Sequence, residues 1–472
     1  GVDPTVEGEA TAAGPGAGGA GGAGGAGGLG GGHSFVLLSE VGGALDPVIG
    51  FPTEGLNTGP EFPDPEPIVT DDPAPDFTPT IDVEYEDASG AIVTGPAVVD
   101  EEGLSDGTNP GSNAEQASGS LIISSPDGVS AIQIQDVNGN WIDVTNGGVV
   151  QGQYGVLVVN AAGNWTYTLT DNTLNRGNPN ATGAADQVGE SFGVRMFDLD
   201  GDVSPTVQLN VLVNDDGPQA ELAEEAPALG VDFVDESLES LGGAYDDGKA
   251  TAVLSGAVVQ AQFASVYGAD GEGSTVYSLA LNTNGEPSVG SGLFAVDPLV
   301  AGGKGAEIQL SQVGNVITGS VGGSPYFTLT INPNTGAVTL ELKDNIWHGN
   351  TASHDDAQSL LLGSGVLQLV QTLTDGDGDK ASAAIDLGAA GVFSFEDDGP
   401  KAQLAGERPS LGSVAVDESL AALGGAYTDG AASATLSASL VQAQFNSVYG
   451  ADGAGSTVYS LALNTNGEPS VG

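Results

Sequence analysis

A long internal repeat constrains this chain more than any other feature. The string "DDGP" begins at Asp215 and again at Asp397, an offset of 182 residues. The same offset carries "VDESL", "LGGAY" and "SVYGADGEGSTVYSLALNTNGEPSVG" onto second copies, the last with one change. A period of this length predicts tandem copies of one domain. We therefore expect a complete copy over residues 215–396 and the first part of another over residues 397–472.

Short apolar segments with period-two alternation begin near residue 81. Examples are "SLIISS", "YGVLVVNAAGNWTYTLTD" and "TVQLNVLV", separated by turn signals such as Asn138-Gly139. Such alternation indicates half-buried β-strands, and Asn-Gly favours a hairpin. Residues 81–214 are thus predicted to form an immunoglobulin-like β-sandwich. The larger repeat is predicted to be a β-sandwich with extra hairpins and a turn at residues 332–336, and "SHDDAQSLLLG" to add one short helix.

Residues 1–80 have a different composition. The stretch "AGPGAGGAGGAGGAGGLGGG" is almost entirely glycine and alanine, and "NTGPEFPDPEPIVTDDPAPDFTPT" is dense in proline and acid. Glycine-rich chains are flexible, whereas proline-rich acidic chains are extended and semi-rigid. The first 80 residues are therefore predicted to be a linker and stalk.

The chain is strongly acidic, with 8 Lys plus Arg against 63 Asp plus Glu and a formal net charge of −55. This charge disfavours binding to nucleic acids and to anionic lipid. Divalent cations would neutralise it locally, although the solvated acidic surface of a halophile is an open alternative. Cysteine is absent, which excludes disulfides and thiolate metal sites. The sequence contains no run of 18 apolar residues, the length that a membrane-spanning helix needs.

Two loops, "FDLDGDVS" and "TDGDGDKA", carry acids at alternate positions. Carboxylates spaced this way around glycine direct several oxygens to one point, which favours Ca²⁺. Neither loop has the glycine and glutamate positions of an EF-hand, and "GGKGAEIQL" is one poor match to the calcium-binding nonapeptide of β-helices. The predicted ligands in these loops are Asp198, Asp200, Asp202, Asp375, Asp377 and Asp379.

Further acids flank the ends of the predicted domains. In an immunoglobulin-like fold, the hairpin between the last two strands lies at the pole where the chain enters. We therefore expect the "TDGDGDKA" loop to face the "DDGP" linker and the "VVDEEGL" segment, with calcium between domains. The predicted ligands outside the two loops are Asp100, Glu101, Asp215, Asp216, Asp235, Glu236, Asp397, Asp398, Asp417 and Glu418. The alternative to a metal site is that these Asp-Gly pairs form ordinary turns exposed to solvent.

Little in the sequence indicates catalysis. His348 and His354 lie near two aspartates, but a single pair in a Gly- and Asn-rich loop is a weak zinc signal. No Gly-x-Ser-x-Gly elbow or phosphate loop occurs. Trp141 and Trp165 are interpreted as packing residues rather than a sugar-binding surface. The chain is predicted not to be an enzyme.

The N-terminal region resembles a known family. "GVDPTVEGEATAAGPGAGG", followed by "GGGHSFVLLSEVGGALDPVIGFPTEGL", is similar to the segment after the retention module of LapA-type giant adhesins, and the repeats resemble repeats-in-toxin extender domains. The resemblance implies type I secretion through an outer-membrane pore, retention at the cell surface and a role in biofilms. It also implies cleavage between Ala12 and Ala13, flanked by Thr11 and Gly14, by a LapG-like periplasmic calcium-dependent cysteine protease.

The sequence is therefore interpreted as a non-catalytic adhesin extender with calcium-rigidified repeats that project a distant binding domain. Two alternatives stay open. One is the repeat region of a secreted repeats-in-toxin hydrolase or toxin, and the other is a cell-wall or surface-layer sandwich protein without calcium dependence.

Overall fold

The computed structural model describes residues 76–87, 89–174 and 181–463. The predicted cleavage motif and nearly all of the predicted stalk lie outside the described residues. We call residues 81–214 domain 1, residues 215–396 domain 2 and residues 397–472 the second copy. Among the described residues, none of the helices could serve as a membrane-spanning segment.

Domain 1 is a β-sandwich of two sheets. One sheet has the strand order β2-β1-β4-β9-β8-β7, and the other has the order β3-β11-β10-β5-β6. Its strands are β1 (Thr80–Glu86), β2 (Ile92–Val93), β3 (Ala97–Asp100), β4 (Gln116–Ser124), β5 (Val129–Gln135), β6 (Trp141–Asp143), β7 (Gly148–Gln151), β8 (Gly155–Val159), β9 (Asn164–Leu169), β10 (Gly183–Asp198) and β11 (Val207–Asp215).

The alternation seen in the sequence builds the core of domain 1. On β9, the side chains of Trp165, Tyr167 and Leu169 are buried, because successive residues of a strand point to opposite faces. The facing sheet contributes residues such as Phe192 and Met196, which are also fully buried. The core therefore lies between the two sheets, as an immunoglobulin-like sandwich requires.

Domain 2 has a larger core shared by three sheets, ordered β12-β23-β20, β13-β19-β18-β17-β16-β15 and β14-β21-β22. Two short helices, α1 (Gly256–Gln260) and α2 (Leu387–Ala390), join strands. The strands are β12 (Asp232–Asp235), β13 (Thr251–Leu254), β14 (Glu272–Leu281), β15 (Val289–Val296), β16 (Lys304–Val313), β17 (Val316–Val321), β18 (Ser324–Ile331), β19 (Val338–Leu342), β20 (Ala357–Ser359), β21 (Leu367–Asp375), β22 (Lys380–Asp386) and β23 (Phe393–Glu396).

The structure confirms the predicted turns and overturns the predicted helix. The Asn138-Gly139 turn joins β5 to β6, with Gly139 at a φ of 82°, and residues 332–336 join β18 to β19. The segment "SHDDAQSLLLG" instead forms β20, which pairs antiparallel with β23. Leu360 is buried while Leu361 is exposed, so the segment follows the period of a strand and the helix prediction was wrong.

The second copy repeats the opening of domain 2 only in part. The helix α3 (Ala438–Gln442) corresponds to α1, and the bridge between Lys401 and Val448 corresponds to that between Gln219 and Val266. Residues 397–463 contain no extended strand, although domain 2 forms β14 from almost the same sequence. In domain 2, β14 pairs with β21, which comes from late in the repeat, so this strand depends on distant chain.

Candidate metal centres at the domain junctions

We call residues 215–218 the first junction and residues 397–400 the second junction. Just before the first junction, β3 pairs in parallel with β11, with Asp100 beside Asn214. Parallel strands end at the same edge of a sheet, so the residues that follow meet there. This pairing brings Glu101 to Asp215. The parallel pairing of β12 with β23 repeats the arrangement at the second junction.

Five carboxylates converge at the first junction. Oxygens of Glu101, Asp215 and Asp270 lie within 4.8 Å of one another. Oxygens of Asp270, Asp375 and Asp377 satisfy the same limit, so Asp270 links the two groups. Glu101, Asp215 and Asp375 are buried. The cluster thus combines domain 1, the linker and domain 2, and all its donors are oxygens.

Neighbouring groups fix these carboxylates in place. One oxygen of Glu101 accepts hydrogen bonds from the backbone N–H and the hydroxyl of Thr173, both at 2.8 Å. The side-chain amide of Asn172 donates to Asp270 at 2.7 Å. These two donors are adjacent in the loop after β9, so domain 1 orients a carboxylate of each domain.

The "TDGDGDKA" loop folds around Asp375. Its Oδ1 accepts the N–H groups of Gly378 and Asp379 at 3.0 and 2.7 Å, while its Oδ2 is buried without a hydrogen-bond partner in the structure. Burial raises the pKa of Asp375 to about 6. Asp379 lies at the linker, since a Cβ built on Gly217 would be 3.6 Å from its carboxylate. The predicted meeting of this loop and the linker is therefore present in the geometry.

Two other predicted ligands at this junction have protein partners. Asp216 accepts the N–H groups of Thr108 and Ala269, at 2.8 and 3.0 Å, and so connects a loop of each domain. Asp100 accepts the side-chain amide of Asn214 at 3.0 Å. Both aspartates lie beside the cluster, but neither belongs to the two groups of converging oxygens.

The second junction has a different set of donors. Glu236, His348 and Asp397 are all buried, and one donor atom of each lies within 4.8 Å of the others. The backbone N–H of Ile346 donates to Glu236 at 2.7 Å. Burial raises the pKa of Glu236 well above its ordinary value and that of Asp397 to about 7. Here an imidazole stands among the carboxylates.

The linker aspartate of the second junction repeats the role of Asp216. Asp398 accepts the hydroxyl of Ser237 at 3.0 Å and the N–H groups of Ala244 and Ala451, both at 2.8 Å. Asp235 accepts the N–H of Ser237 at 2.7 Å. These two predicted ligands therefore hold the backbone around the cluster together.

Local sequence explains the likeness of the two junctions. "DNTLN" begins at residue 171 in domain 1 and "DNIWH" at residue 344 in domain 2. Thr173 and Ile346 hold the same place in these strings, and each donates its N–H to the junction glutamate. His348 corresponds to Asn175, which lies outside the described residues.

Sequence reasoning missed Asp270 as a candidate ligand and interpreted His348 as a loop residue. Asp270 belongs to "YGAD", a string that looks like a turn but returns unchanged 182 residues later, where it contains Asp452. The two residues that "DNTLN" and "DNIWH" share at their start are the signal that could have drawn attention to His348. Both signals acquire meaning only once the fold brings loops of two domains together.

The "FDLDGDVS" loop, which joins β10 to β11, forms a third acidic group at the pole where the chain enters domain 1. Asp198 Oδ1 accepts the N–H of Asp202 at 2.7 Å, just as Asp375 Oδ1 accepts the N–H of Asp379 in the related loop. Asp200 lies within 4.8 Å of Asp76 and Asp127, and its hydrogen bond with Asp198 raises its pKa to about 6. Asp76 and Asp200 are exposed to solvent, unlike the junction carboxylates.

The structure does not bring together all the predicted ligands. Asp198 lies at the end of β10 opposite to the one that pairs with Asp215, so the two acids of domain 1 face different poles. Asp417 and Glu418 are exposed, and Asp417 accepts the N–H of Ser419 at 2.8 Å. Neither belongs to a group of converging donors among the described residues.

The remaining candidate side chains pack locally. Trp165 is buried in the core of domain 1, and the guanidinium of Arg195 lies 3.8 Å from the ring centre of the half-buried Trp141. His354 is exposed and stacks on Tyr245 with ring centres 4.2 Å apart. These contacts agree with packing roles.

The family described as "Domain of unknown function (DUF5801)" matches residues 233–388, about a third of the chain. No curated protein matches the sequence.

Among solved structures, the major pilin subunit BcpA of Bacillus cereus is similar at 8% identity, covering 68% of this chain and 70% of its own, with a TM-score of 0.18. Drosophila N-cadherin EC1-3 has 13% identity, 68% coverage of both chains and a TM-score of 0.15. A structure from a 1.5-MDa bacterial ice-binding adhesin has 12% identity, covers 68% of this chain and 98% of its own, and has a TM-score of 0.17. These scores are too low to support a shared function.

Proposed function

We propose that this chain is a non-catalytic extender segment of a bacterial cell-surface adhesin, with Ca²⁺ stiffening its domain junctions. The observation that carries the proposal is the convergence of five carboxylates from two domains and their linker at the first junction. In this role the β-sandwich domains act as rigid spacers that project a distant binding domain.

Calcium suits the first junction on chemical grounds. Ca²⁺ takes six to eight oxygen ligands at 2.3–2.6 Å in flexible geometry, and the junction supplies oxygens from five side chains. Buried carboxylates at this spacing repel one another and lose hydration, as the raised pKa of Asp375 reflects. A divalent cation would offset both costs and tie the domains together through shared ligands.

Small-angle scattering of the chain with calcium and with a chelator tests this proposal. We expect the calcium-bound form to be more extended and less flexible, since the ion is shared between domains. Asp375→Asn should behave as the chelated protein even in calcium, while the matched control Asp344→Asn, at an exposed site, should behave as wild type. Identical scattering in calcium and chelator would contradict the proposal.

The proposed release step involves Thr11 to Gly14. A LapG-like periplasmic protease would cut between Ala12 and Ala13, and the glycine-rich stretch would present this bond as extended chain. Type I secretion, retention in the outer membrane and a role in biofilms belong to the same proposal, through the resemblance to LapA-type adhesins.

Incubation with the protease followed by N-terminal sequencing tests the release step. We expect a new terminus at Ala13, and no cleavage when both alanines are replaced by arginine. A different terminus, or an intact chain, would contradict it.

A further inference from the structure

The second junction contains a buried histidine whose ring nitrogens have no hydrogen-bond partner. His348 is 6% exposed, and neither Nδ1 nor Nε2 makes a hydrogen bond in the structure. Buried polar groups are nearly always satisfied, so an exception requires an explanation. Glu236 Oε2 and Asp397 Oδ1 are also buried without a hydrogen-bond partner. Three different side chains therefore offer unused donor atoms at one place.

The spacing of these donors fits a small cation. Nε2 of His348 lies 3.5 Å from Oε1 of Glu236, the oxygen that also accepts the N–H of Ile346 and keeps a second lone pair for a metal ion. Two ligands of a tetrahedral zinc ion, with bonds of 2.0–2.1 Å, lie about 3.4 Å apart. Asp397 completes the group within the 4.8 Å limit. The three side chains can therefore approach one metal ion by small rotations.

The second ring nitrogen of His348, Nδ1, also has a carboxylate near it. Oδ2 of Asp356 lies 3.8 Å from Nδ1 of His348. This distance is too long for a hydrogen bond, but a small rotation would form one, and a carboxylate that accepts the second ring N–H is the usual way in which proteins orient a histidine that binds metal. This contact comes from the segment just before β20, so the fold places a ligand and its orienting group together.

We propose that the second junction is a mixed nitrogen and oxygen site for a transition-metal cation of the zinc class, held by Glu236, His348 and Asp397. Imidazole binds zinc and related ions, whereas calcium takes oxygen ligands. The ion would bridge domain 2 and the second copy, because Asp397 belongs to the linker. The inference rests on the proposed function only in treating the junction as a cation site, and its ligand set is separate from that of the first junction.

An open cleft leads to this site. It has a volume of about 360 Å³ and is lined by His348, Asp397, Asp452 and Tyr245 among others. Zinc sites with three protein ligands complete their coordination with solvent or another small ligand. The cleft would admit both the ion and that fourth ligand, with Asp452 on its wall as a further oxygen donor.

Zinc binding to the 472-residue chain tests the proposal. Calorimetric titration with ZnCl₂, in competition with a chelator of known affinity, should show one site that His348→Asn weakens by at least about tenfold. The matched control His354→Asn removes an exposed histidine six residues along and should leave this site unchanged. Glu101→Gln should reduce the response to calcium without changing zinc affinity, which separates this proposal from the proposed function.

Imidazole NMR provides a readout that needs no variant, because the chain contains three histidines. The resonances of His348 should shift on addition of zinc and stay in place on addition of calcium. Equal zinc affinity of wild type and His348→Asn, or His348 resonances that do not respond to zinc, would overturn the proposal. If His348→Asn fails to fold, the wild-type spectrum alone decides.

Discussion

At the first junction all the converging groups are carboxylates, whereas at the second an imidazole joins two carboxylates. The framework is the same in both places. A parallel strand pair sets a glutamate beside a linker aspartate, and the next linker aspartate binds backbone N–H groups of the flanking loops. The difference comes from loops that pack against this framework. The same scaffold can therefore present two sets of donor atoms, and the loops rather than the strands determine which metal ion each junction would select.

The largest predicted difference between the two junctions is in how much each contributes to the calcium-dependent increase in Tm. Calcium at about 1,000 times its dissociation constant stabilises a binding protein by about 4 kcal/mol, which corresponds to a Tm increase of roughly 10 °C for a domain of this size. Glu101→Gln should abolish most of this calcium-dependent increase, because it removes an oxygen from the five-carboxylate cluster. Glu236→Gln should leave most of it, because the second junction is assigned to zinc. Scanning calorimetry with calcium and with chelator measures both.

The control for this comparison is Glu102→Gln, which changes the neighbouring residue outside the cluster. It should melt as wild type in both conditions. If Glu236→Gln loses as much calcium stabilisation as Glu101→Gln, the two junctions bind calcium alike and the contrast fails.

The fold was largely predictable, because it depends on local alternation. Period-two patterns and Asn-Gly turns indicated the strands and hairpins of both domains, and the sandwich class followed from them. The helix predicted around "SHDDAQSLLLG" failed because pairing with β23 decides the conformation of Ala357–Ser359. Tertiary pairing of this kind is not encoded in a short window of sequence.

The candidate sites were predictable only in part. The "TDGDGDKA" loop was expected to face the "DDGP" linker, since sandwich topology fixes where that hairpin lies, and the structure places Asp375 and Asp377 there. Asp270 and His348 come from loops between non-adjacent strands, so nothing in their local sequence shows what they face. Asp198 and Asp215 lie at opposite ends of the hairpin of β10 and β11, as expected for a loop at the pole where the chain enters the domain.

A smaller effect concerns pH in the absence of metal. Burial raises the pKa of Asp375 to about 6 and that of Asp397 to about 7. A carboxyl with a raised folded-state pKa favours the protonated folded form. Its stabilising contribution is complete below the unfolded value of about 4 and is lost as the pH rises through the folded value. The free energy of unfolding of the metal-free protein should therefore fall between about pH 4 and pH 7. The contribution of Asp375 at the first junction should be lost at a lower pH than that of Asp397 at the second.

Urea unfolding in chelator across this pH range measures the effect. Asp375→Asn should flatten the lower part of the profile and Asp397→Asn the upper part, because each removes one titrating group. Calcium should reverse the trend at the first junction, since it binds the ionised carboxylates. A metal-free stability that rises steadily with pH would contradict the assignment of these groups.

The smallest predicted effect concerns the scaffold that the junctions share. Thr108 and Ser237 each donate a hydroxyl hydrogen bond to the linker aspartate of their junction. Removing one such bond to a carboxylate costs about 1.5 kcal/mol. Thr108→Val and Ser237→Ala should therefore lower the Tm by similar amounts, roughly 3–6 °C, in chelator as well as in metal. The exposed control Thr251→Val on β13 should have little effect. Unequal losses in chelator would show that the junctions differ in their framework as well as in their metal donors.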